Sequence, residues 1–204
     1  MIRKLKKILT VAAATLAAAG SVHAQSGSFS CITNNSVDSC GQAESTLSWA
    51  WDGSIFSISN SAGGGYVAEI YFDLVVPAMS VSWLDGTGTS FSAGASPRHL
   101  AGGTEVNFTS DFAFDSDSAA RGRPIWGIDA GETTRFAIAG ASLDSFSSGQ
   151  ISAGLHVRRL VYGESESLTV SPIPEPSTYA LMLAGLGIVG WVTHRRRRAE
   201  AATV

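Results

Sequence analysis

Lysine stops at Lys7, and the long middle of the chain has none. Between Gln25 and Ser171 there are 15 acidic residues against 6 arginines, a formal charge of −9. A stretch so short of positive charge repels phosphates, which argues against a nucleic-acid role. It keeps an exported chain soluble. Cysteine is nearly absent: Cys31 and Cys40 are the two in the sequence. Two thiols with no histidine beside them make a poor zinc set. Histidine is as scarce, with His99 and His156 alone between Gln25 and Ser171. No H-E-x-x-H, no G-x-S-x-G and no paired-cysteine metal spacing occurs, which removes the common metalloprotease and serine-hydrolase motifs. No catalytic set, metal set or cofactor is expected. His156 falls in a strand pattern and reads as a packing or edge residue.

The sequence does have strongly segregated ends. Arg3, Lys4, Lys6 and Lys7 open the chain, and ILTVAAATLAAAG follows as a 13-residue apolar run. That run is too short to span a bilayer. SVHA then places small residues before Gln25. Basic head, apolar run and small-residue box in this order predict a signal peptide over 1–24, cut between Ala24 and Gln25. Export through the Sec machinery and signal peptidase follows. The destination permits a disulfide, so Cys31 and Cys40 are expected to pair and close the loop CITNNSVDSC.

From Ser45 the apolar pattern repeats every two residues, as in a half-buried strand. Leu47, Trp49 and Trp51 share one face, and Asp52-Gly53 signals a hairpin. Tyr66, Ala68, Ile70, Phe72 and Leu74 alternate next. Val81 and Trp83, then Val106, Phe108, Phe112 and Phe114, continue in the same style. ESLTV is expected as a last edge strand, and SLDSFSSGQIS as one helical turn or a short helix. Seven to ten short strands with turn signals predict a mainly β domain over 25–171. The expected form is an antiparallel sandwich of jelly-roll or immunoglobulin-like type. Asp111, Asp115 and Asp117 form a candidate divalent-cation site, but the spacing fails the EF-hand pattern and fits a solvated turn better. GLGIVG, Gly185 to Gly190, matches a dinucleotide fingerprint by letters alone. It lies inside an apolar run without a βαβ unit around it. Asn34 and Asn107 open sequons of the glycosylation form.

The tail combines three signals. Pro172, Pro174 and Pro176 keep the chain extended and bar a helix from continuing backwards. From Ser177 to His194 no residue carries a formal charge. As a helix this run is ~27 Å long, close to the ~30 Å of a bilayer core. Tyr179 and Trp191 fall near its ends. Arg195, Arg196, Arg197 and Arg198 then form a stop-transfer cluster held on the cytoplasmic side. The pattern predicts a transmembrane helix, N-out and C-in, with residues 199–204 as a cytoplasmic tail.

Pro174-Glu175-Pro176, an apolar helix and an arginine cluster in this order resemble the PEP-CTERM sorting signal of Gram-negative bacteria, here over 172–198. In that family exosortase, an integral membrane enzyme, recognises the signal. The resemblance implies exosortase as a partner, with Pro174, Glu175 and Pro176 as the recognition motif. It also implies transient residence in the inner membrane and then the cell surface or matrix of an exopolysaccharide-producing, biofilm-forming bacterium. The expected function is therefore that of a sorted, C-terminally processed surface protein without catalytic activity. Two alternatives are kept. One is a carbohydrate-binding module for the matrix exopolysaccharide, using Trp49, Trp51, Trp83 or Trp126. The other is a surface hydrolase using two carboxylates facing each other.

Overall fold

A computed structural model describes residues 24–63, 65–119, 123–124, 126–170 and 185–187. Two compact units divide the chain: residues 24–173 form one, and residues 1–23 with 174–204 form the other. The second is described only at Gly185–Gly187, which are helical.

The first unit is mainly β. Its strands are β1 (Gln25–Cys31), β2 (Leu47–Trp51), β3 (Ile55–Asn60), β4 (Tyr66–Leu74), β5 (Ser80–Gly86), β6 (Phe91–Ala93), β7 (Phe112–Ser116), β8 (Ser118–Ala119), β9 (Arg123–Pro124), β10 (Thr133–Ala139), β11 (Ile151–Arg158) and β12 (Glu166–Val170). The helix α1 spans Val37–Thr46. Ten strands form one antiparallel sheet in the order β5-β10-β3-β2-β1-β12-β11-β4-β7-β6, and β8 pairs with β9 separately. The expected pair of separate sheets gives way to a single sheet that curls nearly into a barrel. The cause is β1. Its first half pairs with β2, Gln25 opposite Trp51, and its second half pairs with β12, Phe29 opposite Val170. One strand thus belongs to both halves.

Aromatic residues on the two halves meet in the middle. Phe56 of β3 lies edge-on to Phe72 of β4 at 5.6 Å, and Phe136 of β10 lies 5.3 Å from Phe72. Phe146, from the loop between β10 and β11, stacks on Phe56 at 4.8 Å. The turn expected around this residue forms, but without a regular helix. Each such ring removes ~150–250 Å² from water, so a few of them dominate the cohesion of a small domain.

The β2–β3 hairpin forms as the sequence predicts. The Asp52 carboxylate accepts from the backbone N–H groups of Ser54 (2.9 Å) and Ile55 (2.7 Å), and Gly53 takes the left-handed φ of 101° that the turn needs. Three expectations are corrected. The segment around Val106 is a 3-10 turn, Gly103–Val106, and the strand starts only at Phe112. It folds over the outer face of β4 and β11, where Leu100 and Phe108 pack on Tyr71. β4 is therefore buried on both faces, not on alternate residues. Finally β12 is no edge strand, because β1 and β11 flank it.

Candidate functional site

The end of the sheet from which the tail departs is built by several turns. At that end β1 starts at Gln25 and β12 reaches Val170, with Phe29 opposite Val170. The chain therefore enters and leaves the domain side by side. The same end holds the β2–β3 turn, the β4–β5 connection and the β10–β11 loop. The Gln25 amide donates to Ser147 Oγ of that loop at 3.1 Å. Four carboxylates lie here: Asp52, Asp73, Asp111 and Asp144. Asp73 accepts from Thr109 N and Asp111 from Leu74 N, at 2.9 and 2.8 Å. The bond from the Ile55 N–H, chiefly, holds the Asp52 carboxyl below the usual range. The Ser142 hydroxyl does the same for Asp144. The β2–β3, β4–β5 and β10–β11 turns carry no Lys or Arg, so the charged groups they present are acidic.

At the opposite end the cysteines lie at disulfide distance, S–S 2.00 Å and Cα–Cα 6.0 Å. The loop they close contains the start of α1, which the sequence did not announce. Ser36 caps this helix, its Oγ accepting from Ser39 N at 3.1 Å. Beneath it lies Glu166, 1% exposed. Its carboxylate accepts from Thr33 Oγ1 (2.8 Å), Asn35 N (2.9 Å), Ser36 N (3.2 Å) and Ser39 Oγ (2.5 Å). Four donors offset the cost of burying a charge. Glu44 completes a trio with Cys31 and Cys40, the one such group among the described residues. With the sulfurs bonded to each other no thiolate remains to bind metal.

The other sequence candidates separate. Asp111 serves the exit end. Asp117 accepts from Ser90 Oγ at 2.5 Å and from Ser92 Oγ. Asp115 points to the outer face opposite Glu69. The three acidic groups do not converge. Trp49 and Trp51 are buried, and Trp83 packs against the core with its Nε1 donating to Thr134 Oγ1 at 2.9 Å. Of the four tryptophans weighed for sugar stacking, Trp126 is the exposed one, at 45%. Asn34 and Asn107 are exposed.

Sequence reasoning missed Glu69. It is 1% exposed in the middle of β4, with Arg158 Nη2 bonded to one oxygen and His156 Nδ1 2.9 Å from the other. Asp115 is its cross-strand neighbour, and burial, then the Glu69 charge, pushes the Asp115 carboxyl up. Burial first, and then Glu69, also raises the Tyr71 phenol, whose hydroxyl donates to Pro97 O at 2.9 Å. The signal was present: an acidic residue inside an otherwise apolar strand is worth a partner search. The two carboxylates sit side by side on adjacent strands, and Glu69 is sealed by Arg158 and His156. They do not face each other across a cleft. A shallow depression of about 330 Å³ is lined by Asp85, Gly86, Thr87, Thr133 and Arg135. There Arg135 Nε and Nη2 bond both oxygens of Asp85, at 2.6 and 2.5 Å, so its charges satisfy each other.

The chain that continues from the acidic end decides the assignment. Residues 172–198 match the family described as the PEP-CTERM protein-sorting motif. The chain carries a PEP-CTERM sorting segment. The segment begins at Pro172, directly beyond Ser171 and β12, and no described strand of the β domain lies within the match. No curated protein and no solved structure matches the chain. Because the PEP-CTERM motif is the signal that exosortase recognises, it implies exosortase as a partner, export, and membrane-associated processing toward the cell surface. Pro174, Glu175, Pro176 and Arg195 to Arg198 fall in the match but outside the described residues. The signal peptide expected over 1–24 also lies outside them, Ala24 excepted. Among the described residues no helix is long and apolar enough to cross a membrane. The run from Ser177 to His194 lies outside them except for Gly185–Gly187.

Proposed function

We propose that the chain is a non-enzymatic exported protein whose acidic β domain is delivered to the cell surface or extracellular matrix by C-terminal processing. The single observation that carries this reading is the sorting match over 172–198, starting where the β domain ends. In this reading the signal peptide starts export. The β domain crosses, and the apolar run from Ser177 halts in the inner membrane with Arg195 to Arg198 inside. Exosortase then acts on the extended Pro174-Glu175-Pro176 stretch. The arrangement of the β domain supports a passive role, since its buried carboxylates are occupied by their own neighbours.

The test is the intact mass of the exported product, made with and without an exosortase. With the enzyme, the product is expected to lose the apolar run and the arginines. Changing both Pro174 and Pro176 to Ala is expected to leave the tail in place. A tail of unchanged mass in the presence of active enzyme would defeat the processing claim.

The exopolysaccharide reading narrows to Trp126. Its exposure favours a stacking contact with a sugar ring. Trp126→Ala is expected to weaken retention on the host's matrix polysaccharide in an affinity gel, and equal retention would remove this reading.

A further inference from the structure

The Cys31–Cys40 bond joins two elements that other contacts already hold together. Cys31 ends β1 opposite Leu168 of β12, and Ile32 N carries the pairing on by donating to Ser167 O at 2.8 Å. Cys40 lies on α1, its N–H donating to Ser36 O at 3.1 Å. The helix is fixed without the sulfurs. The buried Glu166 carboxylate accepts from Thr33, Asn35, Ser36 and Ser39, and Ala43 packs into the core. Gln42 adds a further tie, its Oε1 accepting from Val161 N at 2.8 Å. Opening the disulfide therefore leaves the two cysteine backbones in place, with Cα atoms 6.0 Å apart.

A third metal ligand stands beside them. Glu44 follows Cys40 by one turn of α1, so the two side chains share a helix face. Its Oε1 accepts from Cys31 N at 2.9 Å and lies 3.8 Å from Cys40 Sγ. The carboxylate is thus aimed at the sulfurs by the strand that carries one of them. Both sulfurs and a Glu44 oxygen lie within 4.8 Å of one another. Zinc bound tetrahedrally to thiolate and carboxylate sets its ligand atoms about 3.5–3.8 Å apart. The Glu44 oxygen already keeps that distance from Cys40. The sulfurs reach it once the bond between them is absent, because both side chains can turn apart on fixed backbones.

We propose that, before the disulfide forms, Cys31, Cys40 and Glu44 hold a zinc ion, with a fourth position left to water. The chain is made with both sulfurs as thiols. The ion displaces their two protons and forms two Zn–S bonds, and Glu44 adds one Zn–O bond. Metal and disulfide are alternative occupants of one place, since the same two sulfurs serve both. Bound zinc ties α1 to β1 as the disulfide does, and it shields the thiolates from oxidation. The site goes beyond the sorting reading and does not depend on it.

The test is a titration of the full chain in detergent micelles, reduced with a phosphine, using Co²⁺ as a coloured stand-in for zinc. One Co²⁺ per chain is expected to bind, with a thiolate-to-metal charge-transfer band and the d–d absorption of a four-coordinate ion. Zn²⁺ is expected to bleach both signals, and the oxidised chain to show neither. Glu44→Gln can still accept from Cys31 N, and it is expected to weaken Co²⁺ binding at least about tenfold. Amide exchange at Ala43, read by NMR in the reduced, metal-free chain, reports whether α1 persists. No band in a reduced chain that keeps α1 would overturn the proposal. So would full affinity in Glu44→Gln, because two thiolates would then suffice. Loss of α1 on reduction would overturn it as well, because nothing would then hold the three ligands together.

Discussion

Asp115 shows how one residue can work against its own fold. Its carboxyl is half-buried on β7, beside the fully buried Glu69, and burial and that charge both disfavour ionisation. A carboxyl raised in the folded state binds its proton more tightly there than in the unfolded chain. Stability is therefore lost as pH rises through the unfolded and then the folded value, and regained as pH falls. Asp115→Asn removes the charge without changing shape. At neutral pH it is expected to raise stability by roughly 0.3 kcal/mol after allowance for solvent screening. The gain should vanish well below pH ~4, where both forms are neutral. Urea denaturation at pH 7 and pH 3 checks this, and an equal effect at both would rule out the charge.

At the scale of elements, the segment between β6 and β7 is the least obvious piece. Tyr71 on β4 and Gly154 on β11 form its floor. A Cβ at Gly154 would come within 2.5 Å of Leu100 Cδ2 and 3.2 Å of Phe108 Cζ. Glycine is thus required by the close approach of the cover. Gly154→Ala is expected to cost ~1–3 kcal/mol, as overpacking does. Exchange protection should fall mainly at Leu100 to Phe108. Uniform loss over the whole sheet would show that the cover is not a separate unit. This region also marks where the sequence stopped being legible. β2 and β3 were readable because water bathes one face of each, and Leu47, Trp49 and Trp51 alternate cleanly. β4 was misread because the cover buries its second face, which erases alternation. α1 was missed because its residues, VDSCGQAEST, carry little apolar periodicity. The helix is held from outside, by the Ser36 cap, the disulfide and Glu166, and Glu166 lies 130 residues away from Ser36. No local pattern could announce it. The sorting segment was legible because its three signals are contiguous and need no tertiary partner.

At the scale of the molecule, the first and last strands are neighbours at the centre of the sheet. The contact that completes the sheet joins the two most distant parts of the domain, Phe29 and Val170. Such closure is slow to find and strongly cooperative. A chain ending at Ser165 lacks β12 and is expected to lose the cooperative thermal transition. Near-UV circular dichroism during heating would show it, and a sharp melt would mean that β1 and β11 hold without their spacer strand. One mechanical consequence follows from the same arrangement. Tension applied between Gln25 and Val170 would not slide strands past each other. It would open the pair like a zipper, one rung at a time, because the pull acts along the rungs and loads them in turn. The Cys31–Cys40 bond sits at the far end of that zipper. There it leaves α1 knotted to β1 after the rungs between Phe29 and Cys31 have parted.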